Sequence, residues 1–426
     1  MRRTAAITLL ASLAGANNLN FPFPYGSTKP VPFQASVDPE FIKETQLKVS
    51  QYRPSVDFLD GDTSNAGWLE GPPRANMTAL ARYWSKEYDW AKAQDEINSD
   101  FAHFAITIPS AGAYKHAVPL HFVHERSAAP DAIPLLFLHG WPTTHREWSK
   151  VINPLRAPAD PRTQAFHIVA PDLPGFGFSP APTHSGLNSA EMGAAFDQLM
   201  SRLGYERYGI VCTDLGWTVC LTMADLLPAG RLVGVFSDFW LVQPNATDLA
   251  RRAENKTSDE ETKYIDSIQD LNDNHFSYAD AHAQTPLALG QALSDTPVGF
   301  AGWVWHIVYW ASDGYEYGFD ELVTTTLLVW IQGTWGNLRA YKTTFALSGE
   351  VTYVNVPTGA SVWGWSNGPL ASLGNVQLTP RSWIERMVNL TFYTRHEHGG
   401  HFPAQTEPEL WSKDVQEFFG GLVKSG

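Results

Sequence analysis

From about residue 103 the sequence falls into a rhythm that few folds accommodate. Short apolar or β-branched runs recur at His103–Ile108, Val118–Val123, Pro134–Leu138, Phe166–Ala170, Tyr208–Cys212, Leu232–Phe236, Thr352–Val356 and Leu390–Thr394. Most are followed closely by Gly, Pro, Asp or His, and helical stretches such as Ser189–Leu203 and Leu215–Leu227 lie between them. Runs that are largely apolar suit parallel strands covered on both faces. Their alternation with helices predicts an α/β architecture built on one sheet. One interruption is long. Residues 241–345 read as mostly helical and rich in Trp and Tyr, an insertion expected to form a lid over the strand ends where open α/β sheets bind ligands.

Ahead of this pattern, Met1–Ala16 combines Arg2 and Arg3, an apolar run from Ala5 to Leu13, and the small residues Ala14-Gly15-Ala16. That is the layout of a secretory signal peptide. The run is too short to span a bilayer. Asn-x-Thr triplets at Asn76, Asn245, Asn255 and Asn389 agree with export. Residues 17–40 read as an extended arm. Helices are expected over Asp38–Lys48, with Pro39 just inside the start, and over about Thr78–Ile97. The predicted organisation is a leader at 1–16, an N-terminal extension with the first core strands at 17–132, core segments at 133–240 and 346–426, and the lid at 241–345 between them.

Composition narrows the function. The 426 residues are 44% hydrophobic and 17% charged, enough to bury a large core. An aromatic share of 13%, with 16 Trp, suits a pocket for a small apolar molecule. A net charge of -14 repels a polyanion, so no nucleic-acid partner is expected. The sequence holds no apolar run long enough for a transmembrane segment. Cys212 and Cys220, the two cysteines, read as buried hydrophobes rather than a bridge.

Three stretches carry chemistry. In Gly209-Ile210-Val211-Cys212-Thr213-Asp214-Leu215-Gly216-Trp217 a buried strand runs through small residues into a helix. This is the shape of a nucleophile elbow, with Asp214 in the nucleophile slot. In Leu136-Phe137-Leu138-His139-Gly140-Trp141-Pro142 another strand ends in a turn whose Trp141 N–H is free to donate, and Leu215 offers a second N–H. Downstream, His398-Gly399-Gly400-His401-Phe402-Pro403 places His401 on a glycine-rich loop after the last strand. The spacing His396-x-His398-x-x-His401 also resembles a metal-ligand set, but no second ligand cluster sits at a similar strand end, and neither metal nor cofactor is expected. The carboxylate decides the class of reaction. A serine that opened an epoxide would form an inert ether. An aspartate forms an ester, which water activated by histidine can hydrolyse.

In this set of motifs the chain resembles an epoxide hydrolase of the microsomal type, found in fungi, with that family's N-terminal extension on an α/β-hydrolase core. The resemblance covers roughly residue 33 to the C-terminus. Its further marks are Tyr88-Asp89-Trp90, His121-Phe122-Val123-His124-Glu125-Arg126 and Pro171-Asp172-Leu173-Pro174-Gly175-Phe176-Gly177-Phe178-Ser179. It implies an α/β-hydrolase fold with an inserted helical lid. It also implies two lid tyrosines that protonate the epoxide oxygen, which fall on Tyr278 and Tyr341. Trp141 and Leu215 become the oxyanion donors, and Trp141, Phe239 and Trp335 are expected to bind substrate. One departure stands out. The family orients its histidine with an acid after the seventh strand, yet no Asp or Glu occurs from Val351 to Ile384. Counting places Asn375 or Ser366 there. Asp238, at the end of the preceding strand, is the expected substitute, since related haloalkane dehalogenases can carry their acid at that point. The expected partner is a small hydrophobic epoxide, with a homodimer as the assembly considered. A haloalkane dehalogenase-like hydrolase, or a binding protein that has lost its triad, are the alternatives.

Overall fold

The computed structural model describes residues 19–56, 68, 70–344 and 353–424, and the expected leader lies outside them. The strands are β1 (Val31–Pro32), β2 (His103–Ile108), β3 (Val118–Glu125), β4 (Ile133–Leu138), β5 (Phe166–Pro171), β6 (Tyr208–Cys212), β7 (Leu232–Ser237), β8 (Val354–Trp363) and β9 (Val388–His396). They form one sheet in the order β1-β2-β3-β5-β4-β6-β7-β8-β9. Neighbours from β5 to β9 are parallel. Their apolar runs are buried on both faces. Leu136 and Leu138 join the core cluster on one side, while Leu135 and Phe137 join the other.

Two expectations need correction. The runs at His103–Ile108 and Val118–Val123 are not parallel strands. They pair antiparallel with each other and join β5 antiparallel. Residues 109–117 between them are too few for a crossover, so the chain turns back as a hairpin. The stretch Thr78–Ile97 is not one helix but two, Arg74–Lys86 and Trp90–Asp100. Asp89 starts the second by accepting the N–H groups of Ala91 and Lys92, as an N-cap does.

Between β7 and β8 the chain builds a helical layer from Ala246–Ala253 to Trp335–Thr344. Its central helix, Pro297–Ala311, holds no charged residue and is buried on most sides. Among the described residues no helix is long and apolar enough to cross a membrane. Cys212 and Cys220 are buried and unbridged.

Candidate active site

The site begins with a backbone strain. β6 ends at Cys212, and Asp214 opens the helix Asp214–Leu226 with φ 42°. Left-handed backbone is unfavourable for a residue with a side chain, and it persists where surroundings enforce it, often at functional sites. Here it lifts the carboxylate above the strand ends. Gly140 makes the room, since a Cβ there would lie 2.2 Å from that of Asp214. The Trp141 N–H donates to Asp214 Oδ1 at 2.7 Å. Leu215 lies in the first helical turn, where N–H groups lack intrahelical acceptors. Asp214 Oδ2 faces His401 Nε2 at 3.6 Å.

Buried polar groups hold the Trp141 loop from below. The His139 ring bonds the Gly140 carbonyl at 2.9 Å and accepts the Leu173 N–H at 3.0 Å. The Thr143 hydroxyl sits 3.0 Å from the Gly140 carbonyl oxygen and 2.5 Å from Glu147 Oε2. Burial raises the Glu147 carboxyl well above its ordinary range, which keeps a proton there. Glu147 escaped the sequence reading although it lies close to the His139-Gly140 motif.

His401 follows β9 on a loop pressed against the lid. Its N–H donates to the Ala311 carbonyl at 2.7 Å. Gly400, with φ 70°, is needed because a Cβ would come within 2.7 Å of that same oxygen. A second fastening comes from Asp313, just past the lid helix Pro297–Ala311. Its carboxylate accepts the Gly399 N–H at 2.8 Å and the Asn367 N–H at 2.6 Å. Nothing in the sequence singled out Asp313, which reads as an ordinary turn residue. The three histidines of the metal-like spacing are engaged separately. His396 bonds Asp414 at 2.7 Å, His398 bonds the Ser366 hydroxyl at 2.8 Å, and His401 faces Asp214.

Asp238 is buried at the end of β7, but its expected direct bond to His401 is not formed. Its Oδ2 accepts the Trp411 indole N–H at 2.6 Å, and Oδ1 has no hydrogen-bond partner among the described residues. Burial pushes its carboxyl up to about 6, against the opposing pull of Thr213, Trp411 and His401. Asp238 therefore senses His401 through charge alone. Asn375 and Ser366 do not replace it. The Ser366 hydroxyl bonds the Glu397 carbonyl and His398, and the Asn375 side chain makes no described bond to His401.

A narrow cavity opens above Asp214. It is walled by Trp141, Phe239, Leu241, Leu271, Phe276, Ile307, Trp310, Ala311 and Val376, with Tyr278, Tyr341, Gln377 and His401 as its polar members. The two phenol rings lie 6.0 Å apart, and each packs on Trp141. Burial and the Asp214 charge raise the Tyr278 hydroxyl above its ordinary value, and burial with the neighbouring Tyr278 raises Tyr341 further. Both therefore remain proton donors at neutral pH. The Trp141 indole also donates to Asn337 of the lid at 3.1 Å. Trp335 is misplaced by the sequence reading. It is not among the residues lining the cavity, but packs on Gly290 with Arg339 over its ring. A wider surface depression around Arg156, Arg162 and Lys413 involves none of the residues grouped here.

A carboxylate on a strand-to-helix elbow, a histidine on the loop after the last strand and a helical lid together define an α/β hydrolase. The profile for the alpha/beta hydrolase fold matches residues 133–353, and that for the epoxide hydrolase N terminus matches residues 30–148. A Stigmatella aurantiaca protein named among the epoxide hydrolases is 30% identical over 83% of this chain and 78% of its own length. Epoxide hydrolase 1 of Sus scrofa is 26% identical over 92% of this chain and 88% of its own. The crystal structure of juvenile hormone epoxide hydrolase from Bombyx mori superposes with a TM-score of 0.81 at 25% identity, covering 93% of this chain and 96% of that one. The chain belongs to the epoxide hydrolase family.

Proposed function

We propose that this protein hydrolyses small hydrophobic epoxides to vicinal diols through an ester on Asp214. One observation carries the reading. Asp214 has one oxygen held by a backbone N–H and the other beside a histidine, in a cavity it shares with two phenols. Asp214 Oδ2 forms a bond to an epoxide carbon as the ring C–O bond breaks. The ring oxygen takes its proton from Tyr278 or Tyr341. His401 then removes a proton from water, whose oxygen attacks the ester carbonyl carbon of Asp214. Oδ1, now the oxyanion, is held by the N–H groups of Trp141 and Leu215. Collapse expels the diol oxygen, protonated by His401, and the proton left on the Asp214 carboxyl restores the phenol. The imidazolium is supported through space by Asp238. The test is diol formation from terminal epoxides by the native protein and by Asp214→Ala, with halide release from bromoalkanes measured alongside. The native protein should form diol and the variant none. Halide release without diol formation would favour a dehalogenase.

We also propose export and N-glycosylation. The leader-like Met1–Ala16 supports it, as does the exposure of Asn245 and Asn255 in their triplets. Enzymatic glycan removal from protein collected outside the cells should lower its mass. Full-length protein retained inside, with no mass change, would contradict it.

A further inference from the structure

Gln377 presents a polar group that the chemistry above does not use. It is 2% exposed, lines the cavity with Asp214, Tyr278, Tyr341 and His401, and sits among apolar and aromatic walls. Its orientation is fixed by chemistry. The Trp365 indole, which can only donate, gives its N–H to Oε1 at 2.9 Å. The opposite end, Nε2, is therefore an amide donor, and it has no hydrogen-bond partner among the described residues. A buried donor left unpaired costs about 1–3 kcal/mol, so native proteins rarely keep one without a use. Indole and amide together form a fixed donor that the proposed reaction does not use.

We propose that Gln377 Nε2 binds an oxygen acceptor on the substrate, away from the reacting ring, and so selects epoxides that carry a carbonyl. This deepens the epoxide hydrolase reading and rests on it. A site built to satisfy a polar group discriminates against the analogue lacking it, because the donor is then left buried and unpaired.

The experiment uses 1,2-epoxyalkanes of fixed length and epoxy ketones in which the carbonyl is stepped along the same chain. The native protein should prefer the ketone at one position by roughly tenfold or more in kcat/KM. In Gln377→Leu the ratio of ketone to alkane should collapse toward one, whatever the absolute rates. If that variant does not fold, Gln377→Met, unbranched and of similar length, provides the same ratio. Opening of the plain epoxyalkanes with no carbonyl preference at any position overturns this inference and leaves the epoxide hydrolase reading intact. A preference that survives both substitutions overturns it equally. If no epoxide of either kind is opened, the broader reading fails and takes this one with it.

Discussion

Asp214 shows how much can rest on one residue's backbone. Its positive φ and the absence of a side chain at Gly140 are two halves of one arrangement that puts a carboxylate against the Trp141 N–H. In the proposed reaction the two phenols above it would share the charge that develops on the ring oxygen. Each donor to such an oxyanion contributes roughly 2–4 kcal/mol. Tyr278→Phe and Tyr341→Phe should each slow ester formation, and the double change should slow it far more, as followed by stopped-flow fluorescence. Near-native ester formation by the double variant would remove both from the mechanism. Asp238 gives a prediction of a different kind. Burial raises its carboxyl to about 6, above the unfolded value of about 3.9. Between those two values the folded protein holds a proton that the unfolded chain has released. This group therefore lowers stability as pH rises from about 4 to about 6. In Asp238→Asn that contribution should vanish, so urea unfolding across the window should show a shallower decline than in the native protein. Equal slopes would contradict the assignment. Asp214 and His401 stood out in local patterns and Tyr278 and Tyr341 through the family resemblance, and the structure brings all four to one cavity. The surroundings of Asp238 were not legible, since Trp411 approaches it from a distant part of the chain.

Hydrogen bonds fasten the lid to the core, and several of them lie beside the catalytic apparatus. Asn337 accepts the Trp141 indole N–H, and Gln332 Nε2 donates to the Gly177 and Ser179 carbonyls. Asp313 reaches across to Gly399 and Asn367, while Ala311 accepts the His401 N–H. The loop that carries the base is thus held by the lid as much as by β9. Asp313→Ala would strip two backbone N–H groups of their acceptor. A base displaced by even about 1 Å can lose on the order of 10–100-fold in rate. The loss should fall on ester hydrolysis and spare ester formation, so that alkylated protein builds up in the steady state. Loss confined to ester formation would show that Asp313 acts elsewhere. The helices themselves were readable from residue pattern, as with Ser189–Arg202 and Asp214–Leu226. The fastenings were not, because they join residues whose separation in sequence carries no periodic signal.

Across the whole molecule, the parallel core announced itself in runs such as Leu135–Leu138 and Tyr208–Cys212, apolar on both faces. The antiparallel edge was misread because β2 and β3 are buried on both faces too, and burial erases the alternation that would mark an outer hairpin. The aromatic content found its place in the lid and cavity, where Trp141, Trp310 and the two tyrosines enclose the Asp214 carboxylate. Such an enclosure makes sense if a covalent ester forms there and must meet a single activated water. A single turnover in ¹⁸O-water, with enzyme in excess of epoxide, reads this directly. Asp214 should gain the heavy oxygen, found by mass spectrometry of its peptide, and the first diol released should contain none. Label in the diol with none in Asp214 would mean that water attacks the epoxide itself, and the ester route would be wrong.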